Sequence, residues 1–135
     1  MNIVINTNRF ISALMKEGTT REIILNTNDY LLLPEFEFQE ISKYKKEILE
    51  KSGLSEIEFN ILLVNLLTKV KIIKTDIMPF KEMTDKIMKV IDEDDIIFIA
   101  AALVFNCSIW FHDEYFKRQD RIRILTNKYM MERLK

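Results

Sequence analysis

The chain has 135 residues, 48% of them hydrophobic, with 20 Lys and Arg against 21 Asp and Glu. That is enough apolar material for one packed core and predicts a single domain over residues 1–135, while the cancelling charges provide no overall basic field of the kind that announces a nucleic-acid binder. Two glycines and two prolines exclude a Gly-rich phosphate loop. The single cysteine excludes an internal disulfide.

Residues Asn2 to Thr7 are apolar on both faces, which predicts a buried, central parallel strand. Asn8 is positioned to cap a helix from Arg9 to Lys16 that carries Phe10, Ile11, Leu14 and Met15 on one face and ends at Gly18. Thr19 or Thr20 opens a second short helix through Ile23, Ile24 and Leu25. Asn26 to Asp29 is turn chemistry, and Tyr30 to Leu33 a second strand stopped by Pro34.

Glu35 to Lys51 reads as one helix with Phe38, Ile41, Tyr44 and Ile48 on its buried face and Gly53 as terminator. Ser55 with Glu58 three residues on is a capping box opening a helix to about Leu67. Val70 to Lys74 is a third strand and Pro79 to Val90 another amphipathic helix. Asp92-Glu93-Asp94-Asp95 leads into an almost wholly apolar helix, Ile96 to Phe105, predicted to be sandwiched in the core. Cys107 to Phe111 is a fourth strand, His112 to Arg118 a short helix, and Ile122 to Leu125 a fifth strand, with helical turns from Thr126. This alternation predicts an α/β fold with a central parallel sheet of about five short strands and helices on both faces.

No stretch approaches the length of a membrane span, and no basic region followed by a long apolar one opens the chain. The expectation is a cytoplasmic protein beginning at or near Met1, with Cys107 a packed thiol.

Four polar positions, Asn6, Glu40, Asp95 and Asp113, fall where a strand ends or a helix begins. In parallel α/β sheets, sites form at the carboxyl ends of strands, so these four are candidates for one pocket. An oxygen-rich set without His or Cys suits Mg²⁺ or Mn²⁺, and such ions suit phosphodiester hydrolysis. Each residue also has a plainer explanation. Asp92, Asp94 and Asp95 fit helix caps, Glu40 among Lys43, Lys45 and Lys46 fits a surface ion pair, and Asp113 fits a turn. Asn6 is the hardest to dismiss, because an amide directly after Ile3-Val4-Ile5 must find partners.

The opening from Asn2 to Leu14 resembles that of PIN-domain proteins, an apolar strand, Asp-Thr-Asn and an Ile-Ser-Ala-Leu helix. Asp92 to Leu103 is similar to the family's acidic turn and Ala-rich helix. Ile109 to Asp113 resembles its closing strand and Asp, and Pro34 to Ile41 the helix that supplies its glutamate. The resemblance implies a PIN-like three-layer sandwich and a metal-dependent ribonuclease, of the kind found in the toxin half of VapBC toxin–antitoxin pairs. Carried over by position, Glu40, Asp95 and Asp113 match the second, third and fourth acids, with Asp92 an auxiliary or substitute for the third.

Two departures stand out: Asn6 replaces the first aspartate, keeping one carbonyl oxygen but losing a charge, and Phe111 replaces a small hydroxyl residue. The implied partners are RNA, approached by Arg9 and the Lys117-Arg118 pair, and an antitoxin protein. Size and apolar content add a homodimer through helical surfaces away from the pocket. Two other readings stand beside the enzyme. One is a PIN fold that binds RNA or protein without catalysis, favoured by Asn6. The other is a partner-binding protein using an apolar groove of Phe36, Phe38, Tyr44, Ile48, Leu54 and Ile57.

Overall fold

The computed structural model describes residues 1–74, 96–111 and 122–134. Its five strands are β1 (Asn2–Ile5), β2 (Tyr30–Pro34), β3 (Val70–Ile73), β4 (Ser108–Trp110) and β5 (Ile124–Leu125). They form one sheet in the order β3-β2-β1-β4-β5, every pairing parallel, with Ile3 opposite Leu31 and Ile5 opposite Trp110. β1 is central and buried on both faces, as its unbroken apolar run predicts. The helices are α1 (Thr7–Met15), α2 (Thr19–Asn26), α3 (Glu35–Glu40), α4 (Lys45–Ser52), α5 (Glu56–Leu67), α6 (Ile96–Phe105) and α7 (Asn127–Arg133).

Period-two alternation divides the strand side chains between two cores. Ile3, Ile5, Leu31, Leu33 and Trp110 join Phe10, Leu14, Ile23, Ile48, Phe59, Leu66 and Met130 on the face covered by α1, α2, α4, α5 and α7. On the other face Val4, Leu32 and Ile109 meet Phe98, Ile99, Ala101 and Ala102 of α6. The result is the expected three layers. Small residues on α6 let its backbone lie close to the sheet, which explains a helix with almost no polar side.

Local chemistry corrects several expected boundaries. Asn6, not Asn8, caps α1: its Oδ1 accepts the Asn8 N–H at 2.8 Å. β1 stops at Ile5 rather than Thr7, because the residue that caps a helix has already left the strand. α1 ends at Met15 rather than Gly18, its last carbonyls taken by Arg21, whose Nε donates to Ala13 O at 2.7 Å. Gly18 is extended and precedes α2 instead.

The long helix expected from Glu35 to Lys51 is broken by a 3-10 turn over Ile41–Tyr44. Ser42 Oγ donates to Gln39 O at 2.9 Å, a back-bond that competes with the helical ladder and bends the chain. Gly53 does terminate α4, in the left-handed region at φ 72°, and the Ser55–Glu58 capping box forms in both directions. α6 ends on Asn106 at φ 49°, with Cys107 N–H reaching back to Ala102 O at 3.0 Å. β3, β4 and β5 are each shorter than the strands expected over 70–74, 107–111 and 122–125. The expected helices over 79–90 and 112–118 lie outside the described residues.

Candidate functional site

The chain runs outward from β1 to β2 and β3, then crosses back to β4 on the other side of β1. Between β1 and β4 the strand order reverses, and at such a point the loops leaving the carboxyl ends diverge and open a crevice. Asn6 stands directly at that end of β1. Its backbone N–H donates to Trp110 O, the last residue of β4, at 3.3 Å, tying the two strand ends together. Phe111 follows, buried against the α6 layer, and its N–H donates to Leu125 O at 3.2 Å. Asp113 comes two residues later in sequence; Asp92, Asp95, Asp113 and the Lys117-Arg118 pair lie outside the described residues.

Asn6 is 2% exposed, and Thr7 beside it is also buried. A neutral amide is cheaper to bury here than a carboxylate, and its oxygen is satisfied by the α1 cap. Thr7 Oγ1 donates to Glu37 Oε2 at 2.9 Å, bringing a carboxylate of α3 to the first turn of α1. Glu40, one turn further along α3, is held elsewhere: its Oε2 lies 2.6 Å from Lys43 Nζ and its side chain is 27% exposed. That contact raises the Lys43 pKa, through the hydrogen bond first and the charge second.

The structure thus joins Asn6, Thr7 and Glu37, and shows Glu40 in an ion pair. Glu37 is not among the candidates the sequence offers, since its partner Thr7 lies thirty residues away. The available signal was its position three residues after Pro34, which closes β2 beside β1.

Arg9, in the first turn of α1, is half-buried, and its Nε is buried without a hydrogen-bond partner among the described residues. Burial lowers the guanidinium pKa, yet an arginine remains protonated at neutral pH. A desolvated guanidinium in the first turn of α1 favours an anionic partner.

The described residues hold no group of three or more His, Cys, Asp or Glu. What they bring to the crevice is oxygen: the Asn6 carbonyl, the Thr7 hydroxyl and the Glu37 carboxylate. These donors fit a hard divalent cation in kind.

An open parallel sheet with buried polar residues at its switch point defines an α/β protein whose candidate site is at the β1 and β4 ends. The PIN domain family model matches residues 4–126, and the chain belongs to that family. A crystal structure of VapBC2 from Rickettsia felis, bound to a DNA fragment from their promoter, contains a chain of the same fold. The two are 16% identical with a TM-score of 0.71, over 93% of this chain and 98% of that one. Among curated proteins none matches at a significant level. Among the described residues no helix is long and apolar enough to cross a membrane.

Proposed function

We propose that this chain is a metal-dependent ribonuclease of PIN-domain type, acting in the cytoplasm as the toxin of a toxin–antitoxin pair, with its activity weakened by Asn6. The observation that carries the reading is the buried polar end of β1, where Asn6, Thr7 and Glu37 meet at the switch point. Asp95 and Asp113 would hold Mg²⁺ or Mn²⁺ together with a carboxylate of α3. The family resemblance gives that role to Glu40, with Asp92 auxiliary, and the bond to Thr7 adds Glu37. When bound, the cation would supply an activated water and neutralise charge on the departing oxygen of a phosphodiester.

The chain's own residues supply the rest. Thr7 fixes the rotamer of Glu37, Asn6 offers a carbonyl oxygen but no base, and Arg9 offers its guanidinium to a phosphate of single-stranded RNA. Fold likeness to a VapBC2 chain supports an antitoxin partner.

The second reading, a PIN fold that binds RNA or protein without turning it over, rests on the same Asn6. A Mn²⁺ titration at neutral pH followed by an RNA cleavage assay separates them: binding with cleavage supports the enzyme, RNA binding without metal uptake the module. The apolar groove expected across the third and fourth helices does not form as one surface. Ile48 is fully buried and Phe38 packs against the core, which leaves Phe36, Tyr44 and Ile57 as its exposed members.

A further inference from the structure

α3 and the 3-10 turn after it hold two aromatic rings in solvent, one on each side of a candidate acid along the chain. Phe36, next to Glu37, is 58% exposed, and Tyr44, four residues after Glu40, is 42% exposed. The core takes its apolar side chains from the same stretch elsewhere, at Phe38, Ile41 and Ile48. Phe36, Gln39, Glu40 and Lys43 recur at the spacing of one helical face. The 3-10 turn sets Lys43 level with Glu40, with Nζ 2.6 Å from Oε2 and the lysine side chain 68% exposed.

We propose that Phe36 and Tyr44 are stacking platforms for unpaired bases of RNA, with Lys43 on the phosphate that runs between them. The inference rests on the RNA reading above and deepens it, because it names the segment that tells single strands from duplexes. An exposed ring stacks on any base whose face is free, and a base inside a duplex has none to offer.

Charge between the rings selects this occupant. An apolar protein helix laid over Phe36 and Tyr44 would also strip water from Glu40 and Lys43, at a cost that the two rings alone do not offset. A nucleic-acid strand suits all of them, offering bases to the rings and a phosphate to the ammonium. Lys43 has three protons and spends one on Glu40, so it can bind a phosphate while screening that carboxylate from the strand. Lys45, two residues on, is committed to Glu56 at 2.8 Å. Phe36 stands one turn of α3, about 6 Å, from Glu40, so a base on this ring brings its neighbouring phosphate to the edge of the candidate site.

Fluorescence anisotropy of a labelled single-stranded RNA at low salt, without divalent cations so that no strand is cut, tests this on the full chain. Phe36→Ala and Tyr44→Ala should each raise Kd for the single strand at least about fivefold. Binding of a duplex of the same sequence, Mn²⁺ affinity and the circular dichroism spectrum should not change. Lys43→Gln should weaken both RNAs and reduce the slope of log K against log salt by about 0.7 for the single strand. Phe36→Trp should keep the affinity, and its emission should be quenched by the single strand and not by the duplex, over a constant signal from the buried Trp110.

A wild-type chain that binds no single-stranded RNA, alanine variants that leave its affinity unchanged, or equal losses for single strand and duplex would each overturn the proposal. So would an unquenched Phe36→Trp variant. Metal uptake is read separately. A chain that binds Mn²⁺ but is indifferent to the two rings overturns this inference alone, while one that stacks RNA without taking up metal upholds it on the binding-module reading.

Discussion

Thr7 and Glu37, thirty positions apart in sequence, are joined by a 2.9 Å hydrogen bond that fastens α3 to the first turn of α1. It places a carboxylate of α3 on the residue next to Asn6. Glu40 meanwhile spends its charge on Lys43 at the surface. We propose that Glu37 supplies negative charge at this end of β1, where Asn6 is neutral.

This arrangement ranks two single substitutions. Glu37→Gln should lower Mn²⁺ affinity by about tenfold or more, as loss of one anionic oxygen donor does. Glu40→Gln should lower it less, because it first releases Lys43. Isothermal titration with Mn²⁺ measures both, and the reverse order would return the principal role on α3 to Glu40.

A second prediction concerns Asp29, which ties the two ends of the described fold together. Arg133 Nε and Nη2 donate to its two oxygens at 2.8 and 2.6 Å, and its carboxylate is 7% exposed. The hydrogen bonds from Arg133 hold its pKa below the ordinary carboxylate value. A depressed folded-state pKa stabilises above the unfolded value, about 4 for Asp, and the gain disappears as pH falls through the folded value. Asp29→Asn should thus cost about 1–3 kcal/mol at pH 7 and progressively less below pH 4, read from urea melts across that range.

A third prediction concerns the indole of Trp110, which is fully buried and donates from Nε1 to Asn127 Oδ1 at 2.9 Å. Asn127 Nδ2 reaches Thr20 Oγ1 at 3.4 Å, so one amide links β4, α7 and α2. Asn127→Leu leaves a buried N–H unpaired and should destabilise by about 1–3 kcal/mol, whereas Trp110→Phe removes the donor as well and should recover part of that loss in the double variant. Thermal melts of the four-member cycle give the coupling.

The parts of this fold legible in the sequence are those fixed by neighbours along the chain. The Ser55–Glu58 box, the left-handed Gly53, the apolar run of β1 and the Ala-rich α6 need only local spacing. Assigning the α1 cap to Asn6 rather than Asn8 required knowing that β1 stops where β4 stops, at Trp110, which is a tertiary fact. Glu37 was hidden for the same reason. Its partner lies thirty residues away, and the break at Ser42 that parts α3 from α4 arises from a side-chain back-bond that periodicity does not register. Of the candidate residues, Asn6 does follow directly on β1, as its position after the apolar run suggests, while Asp92, Asp95 and Asp113 lie outside the described residues.

The central claim is that the buried end of β1 belongs to a cation site weakened by one missing charge. Restoring it by Asn6→Asp and measuring Mn²⁺ binding together with cleavage of single-stranded RNA tests this most directly. An aspartate can keep the cap to the Asn8 N–H while adding an anionic ligand. The account predicts tighter Mn²⁺ binding and a rise in cleavage on the order of a hundredfold, abolished again by Asp95→Asn or Asp113→Asn in the restored background. Metal affinity and cleavage both unchanged at background by Asn6→Asp would contradict the enzyme reading and leave the binding module in its place.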